Sequence, residues 1–248
     1  MAAMDEFRKE REAIKHGTPK EKLAYFWDYY KWYAIIGTLI LIALISYIYN
    51  IATKKDLLMN GILLNVYHTE ADSSDLVNGF YEFQNVDTKE EEITLQSSLF
   101  YNLDSTQSYQ ALQVLMTWNS AEQIDFICCN EVDSMTDLAY RGYFTDLSET
   151  LNPNDVEKYA SRFYYMDEDV LQKRREAANK GEDITAIAIP DPTKPEEMVS
   201  PIPIFMKISD RELMQKAYGT KDEDILFGIS GNSQHTDMVL RFLEYVME

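Results

Sequence analysis

Residues 124–129 read IDFICC, a near-continuous apolar run that contains both cysteines of the chain. Such a run is typical of a strand that is buried on both faces of a parallel sheet. Neighbouring residues of a strand point to opposite faces, so Cys128 and Cys129 cannot bind one metal ion together. A disulfide between them would strain the peptide. We therefore interpret both cysteines as packing residues of a central strand, where a free cysteine acts as a small apolar side chain.

Strand patterns and helix patterns alternate on both sides of this central strand. Residues 152–200 are less regular, apart from a charged helix around VLQKRREAANKG, and TDMVLRFLEYVM closes the chain as an amphipathic helix. Short strand–helix–strand connections imply right-handed crossovers and parallel pairing. We predict an α/β domain over residues 56–248, with a mostly parallel sheet and helices on both faces. The other predicted strands are 59–68, 92–102, 200–209 and 224–230, and the other predicted helices are 73–85, 106–120 and 133–144.

A second apolar stretch, YAIIGTLILIALISYIYNI at 33–51, carries no charged residue. As a helix it would be about 28 Å long, enough to cross a bilayer, and aromatic residues lie at both of its ends. A buried core helix is the alternative, but the length of the stretch and the aromatic residues at its ends argue against a core helix. The position of the stretch, and the lack of a small-residue cleavage signal after it, argue against a signal peptide. We predict a retained transmembrane helix over residues 32–52, with the lipid bilayer as its partner.

The segment before this span has a strong helix-start signal. Thr18, Pro19 and Glu21 form a capping box with proline at the first helical position, after a charged, helix-prone segment over 2–16 that Gly17 ends. The new helix should continue without a break into the membrane. Its sequence KLAYFWDYYKW resembles the juxtamembrane segment of many single-pass proteins from clostridia-like Gram-positive bacteria.

The charge distribution predicts the orientation of the chain. Residues 1–31 carry seven basic and six acidic residues, a net charge of +1, whereas residues 56–248 carry fourteen basic and thirty-six acidic residues, a net charge of −22. Four lysines precede the span closely and two follow it. This excess favours a cytoplasmic tail at 1–31 and an extracytoplasmic domain at 56–248 in the cell membrane, with the reverse topology as the alternative. So acidic a domain also argues against a nucleic-acid partner.

Motifs for catalysis or cofactor binding are weak. His68, Thr69 and Glu70 have the H-x-E order of zinc deaminases, but the C-x-x-C partner is missing. His68, Glu70 and Asp72 could share one face of a strand and bind a metal, but a polar strand end explains them more simply. Gly228 to Gly231 is a lone G-x-x-G, and the acidic domain around it would repel phosphate. We therefore predict neither an enzyme nor a metal or cofactor site.

Two segments resemble extracellular solute-binding proteins of ABC importers. In SAEQIDFICCNEVDSMTDLAYRGYFTDLSETL, at 120–151, a buried strand precedes a helix, and Tyr140, Gly142, Asp146 and Leu147 stand where that family has them. ILFGISGNSQHTDMVLRFLEYVM, at 225–247, is similar to the strand, turn and final helix of such proteins. The resemblance covers residues 59–151 and 200–248. It implies a solute-binding-protein-like fold, reduced largely to one lobe because residues 152–200 are too few for a second.

The resemblance implies a membrane-anchored module that binds a small solute or peptide without catalysis. In open α/β sheets, ligands bind beyond the carboxyl ends of the strands, at the point where the strand order reverses. An accessory or scaffold subunit of a membrane transporter or envelope complex, with no small ligand, remains the alternative. It is favoured by the missing lobe, the anchor and the helical tail. The candidate ligand-binding residues follow the predicted strands and are Tyr67, His68, Thr69, Tyr101, Asn102, Asn130, Glu131, Asp133, Ser230 and Asn232.

Overall fold

The computed structural model of the protein describes residues 18–68, 71–103, 108–208, 212–221 and 223–248. The chain divides into two compact units, Met1–Lys54 and Lys55–Glu248. The predicted boundary between anchor and domain, near residue 55, lies at this division. The predicted helix over 2–16 and its stop at Gly17 lie outside the described residues.

The first unit contains one long helix, α1, at Pro19–Ala52. It begins where the capping box predicts, with Lys22 N donating to Thr18 O at 3.0 Å. Within it, Tyr30–Ile51 has a mean hydropathy of 2.1 and none of it is buried. These 22 residues span about 33 Å at a rise of 1.5 Å per residue. The helix is therefore long and apolar enough to cross a membrane.

The second unit alternates strands and helices. Three single 3₁₀ turns, at Ala160–Arg162, Ile184–Ala186 and Pro195–Glu197, lie in its middle part. The strands are β1 Asp56–Leu63, β2 Glu91–Gln96, β3 Phe126–Cys129, β4 Phe163–Asp167, β5 Pro201–Lys207 and β6 Leu226–Ile229. The helices are α2 Ser74–Gln84, α3 Ser108–Ser120, α4 Val132–Tyr140, α5 Leu147–Thr150, α6 Pro153–Tyr159, α7 Glu168–Lys180, α8 Glu212–Tyr218 and α9 Thr236–Met247.

The six strands form one mixed sheet in the order β2-β1-β3-β6-β5-β4. Strands β1, β2 and β3 pair in parallel, whereas β6, β5 and β4 each run antiparallel to the preceding neighbour. Four strands therefore point one way, and β4 and β6 point the other way. The predicted α/β fold with a mostly parallel sheet is confirmed, and the strands predicted around β1, β2, β3, β5 and β6 all exist.

Helices cover both faces of the sheet and form two apolar cores. Helices α2, α5, α6, α8 and α9 contribute to the core on one face, and α3, α4 and α7 contribute to the core on the other. Strand β3 is buried throughout, and its two cysteines separate as predicted: Cys128 belongs to the first core and Cys129 to the second. Both are free thiols.

The segment that the sequence predicts least well, 152–205, extends the same sheet. It supplies β4 and β5 at the edge beyond β6, together with the predicted charged helix, α7. Strand β4 was not predicted. Its outer edge is covered by the following loop, since Tyr165 N donates to Pro192 O at 2.8 Å. The domain is thus a single lobe over its described residues, as the chain length predicts.

Asp167, at the end of β4, holds this extension together. Its side chain is buried and caps α7 by accepting from Asp169 N at 3.1 Å. The same carboxylate accepts from Val199 N at 2.9 Å and from Ser200 N at 3.1 Å, just before β5. Burial alone would raise the pKa of Asp167, but these backbone N–H groups outweigh it and the pKa lies below its ordinary value.

We expect Asp167→Asn to destabilise the protein by about 1–3 kcal/mol near neutral pH, because an amide N–H would then face a buried N–H donor. A carboxylate with a lowered folded-state pKa stabilises above its ordinary pKa, near 3.8, and this contribution is lost as the pH falls through the folded value. Urea unfolding of wild type and variant between pH 3 and 7 should therefore show the difference shrinking towards low pH.

Asp183→Asn is the matched control, since Asp183 caps a turn in the same way but is exposed, accepting from Thr185 N at 2.9 Å. Its effect should be clearly smaller than that of Asp167→Asn, because an exposed cap can be replaced by water. Equal effects of the two substitutions, or a difference for Asp167→Asn that persists unchanged at pH 3, would contradict the role given to Asp167.

Candidate functional site

The strand order creates a switch point between β1 and β3. From β1 the chain passes over one face through α2 to β2, and from β2 it passes over the opposite face through α3 to β3. The connections after β1 and β3 thus diverge, which leaves a crevice at their carboxyl ends where ligands of open α/β sheets bind. The candidate site lies at this edge.

Asn65 closes the base of the crevice. It follows β1 in the left-handed conformation, with φ of 62°, and is fully buried. Its Nδ2 donates to Tyr101 O at 2.8 Å, and its Oδ1 accepts from Tyr101 N at 2.6 Å. Nδ2 also lies 3.4 Å from the Cys129 sulfur. One amide side chain therefore ties the end of β1 to the β2–α3 loop and to the end of β3.

Tyr101 is anchored in turn by α4. Ser134 Oγ donates to Tyr101 O at 2.8 Å, and the Tyr101 hydroxyl donates to Asp137. Asp137 also accepts from Arg141 Nε at 2.5 Å. Burial raises the pKa of Tyr101, and the hydrogen bond to the Asp137 carboxylate raises it further. The tyrosine is therefore a neutral donor that fixes the loop, not an ionisable group of the site.

Two carboxylates lie above this base, each held by neutral donors. Glu131, at the start of α4, accepts from Asn102 Nδ2 at 3.2 Å, and its Oε2 lies 3.0 Å from Ser134 Oγ, whose one proton is shared with Tyr101 O. Glu223 accepts from Asn130 Nδ2 at 2.7 Å. The other amide atom, Asn130 Oδ1, is buried without a hydrogen-bond partner among the described residues. The edge therefore combines negative charge with an acceptor that has no donor.

Aromatic rings border the carboxylates. The Tyr67 and Phe100 rings stack with centroids 5.0 Å apart, and their side chains remain 54% and 41% exposed. Partial burial raises the pKa of Tyr67, and the nearby charge of Glu131 raises it further. Such half-exposed rings beside polar groups are typical of ligand and partner sites.

An open depression accompanies these groups. It has a volume of 280 Å³ and is lined by Asn102, Leu103, Glu131, Val132, Asp133 and Ser134. A larger depression, of 490 Å³, lies away from the switch point between α6 and α9 and is lined mainly by charged side chains. The first one coincides with the residues that converge at the switch point, and it is the one that we assign to the candidate site.

The structure brings together most of the residues that the sequence predicts for this site. His68 lies beside Glu223, with Nε2 and Oε1 3.3 Å apart, and Asp133 lines the depression. Thr69 lies outside the described residues, as does Glu70 of the possible metal set. The described residues contain no group of three His, Cys, Asp or Glu side chains placed to hold a metal ion.

Ser230 and Asn232 are exceptions, because β6 runs antiparallel to β3 and its carboxyl end is at the opposite edge. The prediction that they join the site is wrong. There Ser230 N donates to Asp125 O at 2.9 Å, and Asn232 Nδ2 donates to Asn119 O at 3.3 Å. The sequence pattern shows that a strand precedes them but carries no information on its direction.

That opposite edge has a structural role centred on Asp125, which is buried. Its carboxylate accepts from Asn60 N at 2.7 Å and from Ser233 Oγ at 2.7 Å. His235 Nδ1 lies 3.1 Å from its Oδ2. Asp125 thus fixes the start of α9 against β1 and β3.

Several residues of the site were not predicted, namely Asn65, Phe100, Ser134, Tyr218 and Glu223. Asn65 has a detectable signal, since asparagine after a strand favours the left-handed conformation. Phe100 was read as part of a strand that in fact ends at Gln96. Glu223 and Tyr218 reach the edge from α8 and its following loop, and α8 was not predicted at all.

Comparisons with known proteins give little beyond this. No family model matches the sequence, and no curated protein matches it. Among solved structures, the chain is similar to a sugar transporter from Rhizobium etli in an open conformation, with a TM-score of 0.35 and 11% identity over 77% of this chain and 76% of that one. A likeness this low carries no argument about ligand or mechanism.

We expect Asn65→Ala to destabilise the domain by about 1–3 kcal/mol, because it removes both bonds to the Tyr101 backbone and leaves those groups buried. Asn85→Ala is the matched control, since Asn85 is also left-handed, with φ of 54°, but is exposed and ends α2. Both variants bear the cost of alanine in that conformation. Thermal unfolding should therefore show a clearly larger loss of stability for Asn65→Ala, and equal losses would contradict the role given to the Asn65 side chain.

Proposed function

We propose that residues 56–248 form a membrane-anchored binding module that recognises a small solute or peptide at the switch point between β1 and β3. The observation that carries the proposal is the convergence of half-exposed aromatic rings, amides and carboxylates at the one sheet edge where open α/β folds bind ligands. This arrangement is what the resemblance to solute-binding proteins implies for a domain reduced to one lobe.

The contacts within the site support binding rather than catalysis. Glu131 and Glu223 are held by neutral amide and hydroxyl donors, an arrangement that orients acceptors. The Asn130 carbonyl oxygen has no donor among the described residues, so a ligand N–H or O–H would satisfy a group that is otherwise costly to bury. The base of the site is fixed by Asn65 and Tyr101, and such preorganisation favours affinity.

An accessory subunit of a membrane transporter or envelope complex is the second candidate. The depression, at 280 Å³, falls just below the range of roughly 300–1,000 Å³ that is usual for small-molecule pockets. An open surface with exposed aromatic rings also suits a protein partner. In this case the same rings would be covered by a membrane subunit that co-purifies in stoichiometric amount from mild detergent.

A thermal-shift screen of the full-length protein in nanodiscs, with sugars, amino acids and short peptides, tests the binding module. A ligand at one hundred times its dissociation constant should add about 2.7 kcal/mol to the stability of the domain. Asn102→Ala should weaken that ligand by about fivefold, because Glu131 loses the Asn102 N–H that orients it.

Asn154→Ala is the matched control, because Asn154 is exposed on α6, far along the chain from the switch point. It should leave affinity unchanged. Stabilisation by no member of any class would count against the binding module, and co-purification of a stoichiometric partner would then favour the accessory subunit.

We also propose that the domain is extracytoplasmic and the tail before α1 cytoplasmic, since the lysine excess precedes the span. The two native thiols should not react with the labelling reagent, because both are buried. Burial also raises the pKa of Cys128 well above its ordinary value and that of Cys129 to about 12. In intact cells, Ser74→Cys should react with a membrane-impermeant maleimide, whereas Thr18→Cys should react only after permeabilisation. The opposite pattern would reverse the topology.

A further inference from the structure

The carboxylates of the candidate site accept hydrogen bonds from neutral side chains. The bonds to Glu131 come from Asn102 and Ser134, and Asn130 donates to Glu223. An amide or hydroxyl orients a carboxylate but does not neutralise it. Two negative charges therefore remain at an edge that is partly removed from water.

The cations of neighbouring elements are committed elsewhere. Arg141 pairs with Asp137 at 2.5 Å, and Lys216 of α8 pairs with Asp75. In the part of the chain that the structure describes, no lysine or arginine lies within ion-pair distance of Glu131 or Glu223. His68 Nε2 lies 3.3 Å from Glu223 Oε1, and its side chain is half-exposed. A histidine carries a positive charge only when it is protonated.

An aromatic wall stands beside this charge. Tyr67 follows β1 and Glu131 follows the neighbouring parallel strand β3, and burial and then the Glu131 charge raise the pKa of Tyr67. The Tyr67 ring stacks on Phe100 at 5.0 Å, two residues before Asn102, which donates to Glu131. A ring face attracts a cation within about 6 Å, and the attraction grows as water is excluded. A carboxylate next to an open tyrosine ring provides two of the groups that hold an ammonium ion.

A buried hydroxyl points to a missing partner at the same edge. Tyr218 of α8 is fully buried, and its hydroxyl has no hydrogen-bond partner among the described residues. Tyr218 belongs to the same core as Cys128, and the next residue, Gly219, lies directly against His68. The unpartnered Asn130 oxygen, at the end of β3, is a second buried group for which a polar partner is expected.

We propose that the ligand of this site is a cation, a solute with a primary or quaternary ammonium group that lies between the Glu131 carboxylate and the Tyr67 ring. The inference rests on the proposed function and names the class of its ligand. The ammonium supplies the positive charge that no described side chain supplies, and Glu223 and the Asn130 oxygen bind further donors of the same molecule. The net charge of −22 over residues 56–248 would also speed the approach of a cation.

The test is titration calorimetry of the full-length protein in nanodiscs at two salt concentrations. The probes are lysine, spermidine, choline and dialanine, with N-acetyl dialanine amide and glucose as neutral counterparts. Amines or choline should bind, and the neutral probes should bind at least tenfold more weakly. Choline distinguishes a quaternary from a primary ammonium group, since it has a positive charge but no ammonium N–H to donate.

Glu131→Gln should weaken binding of the best cation by at least tenfold. Glu157→Gln removes an exposed charge on α6 and should leave that affinity unchanged.

Tyr67→Leu keeps an apolar side chain but removes the ring, and it should weaken binding by about 3–30-fold. Tyr67→Phe keeps the ring and should retain most of the affinity. Because Tyr67 is more than half exposed, these two variants remain folded even if Glu131→Gln does not, and circular dichroism checks all of them.

Each outcome has one meaning. Tight binding of glucose or N-acetyl dialanine amide, with none of the cations, overturns this inference but supports the binding module. Cations that bind Glu131→Gln and Glu157→Gln equally well are held by the general charge of the domain, which overturns the inference as well. Binding of no probe from this set or from the thermal-shift screen overturns both proposals.

Discussion

Burial of β3 on both faces is the constraint on which the rest of the domain depends. All four of its residues are buried, and its side chains alternate between the two cores. It pairs in parallel with β1 and antiparallel with β6, so it joins a parallel half of the sheet to an antiparallel half. A strand in this position tolerates no charge, and free cysteines serve there as small apolar side chains.

The polar residues at the two ends of β3 have different roles. At its start, Asp125 gathers backbone and side-chain donors from β1 and from the turn before α9. At its end, Asn130 and Glu131 face the switch point and are left with charge and acceptor capacity to spare. The Asp125 carboxylate is fully hydrogen-bonded, but Asn60 Oδ1 and Asn119 Oδ1 at the same end are buried without a partner among the described residues, as Asn130 Oδ1 is at the other end. The reason to place binding at the carboxyl edge is therefore the switch point, with its carboxylates and half-exposed rings.

Much of this architecture follows from periodicity alone. The apolar runs around β1, β2 and β3 and the helical spacing in α2, α3, α4 and α9 are strong local signals, and Thr18 with Pro19 marks the start of α1. Strand β4, FYYMD, and helix α8, ELMQKAY, are short and lack clear periodicity, so they were missed. Their identity depends on partners distant in sequence, which no local pattern encodes. The direction of β6 also depends on distant partners. Because the sequence does not encode that direction, Ser230 and Asn232 were predicted at the wrong edge of the sheet. Within the site, residues directly after β1 and β3 were predictable, whereas Glu223 and Tyr218 arrive through tertiary packing.

The pairing of β3 with β6 has a consequence for how the protein is made. Roughly one hundred residues of chain separate these adjacent strands, so the three parallel strands are complete long before their neighbour exists. During synthesis or transport across a membrane, the apolar edge of β3 stays open, and open edges invite pairing with other chains. The domain therefore has a long interval in which it can aggregate, and the acidic residues spread along the chain, through mutual repulsion, are well suited to protect it until β6 closes the sheet.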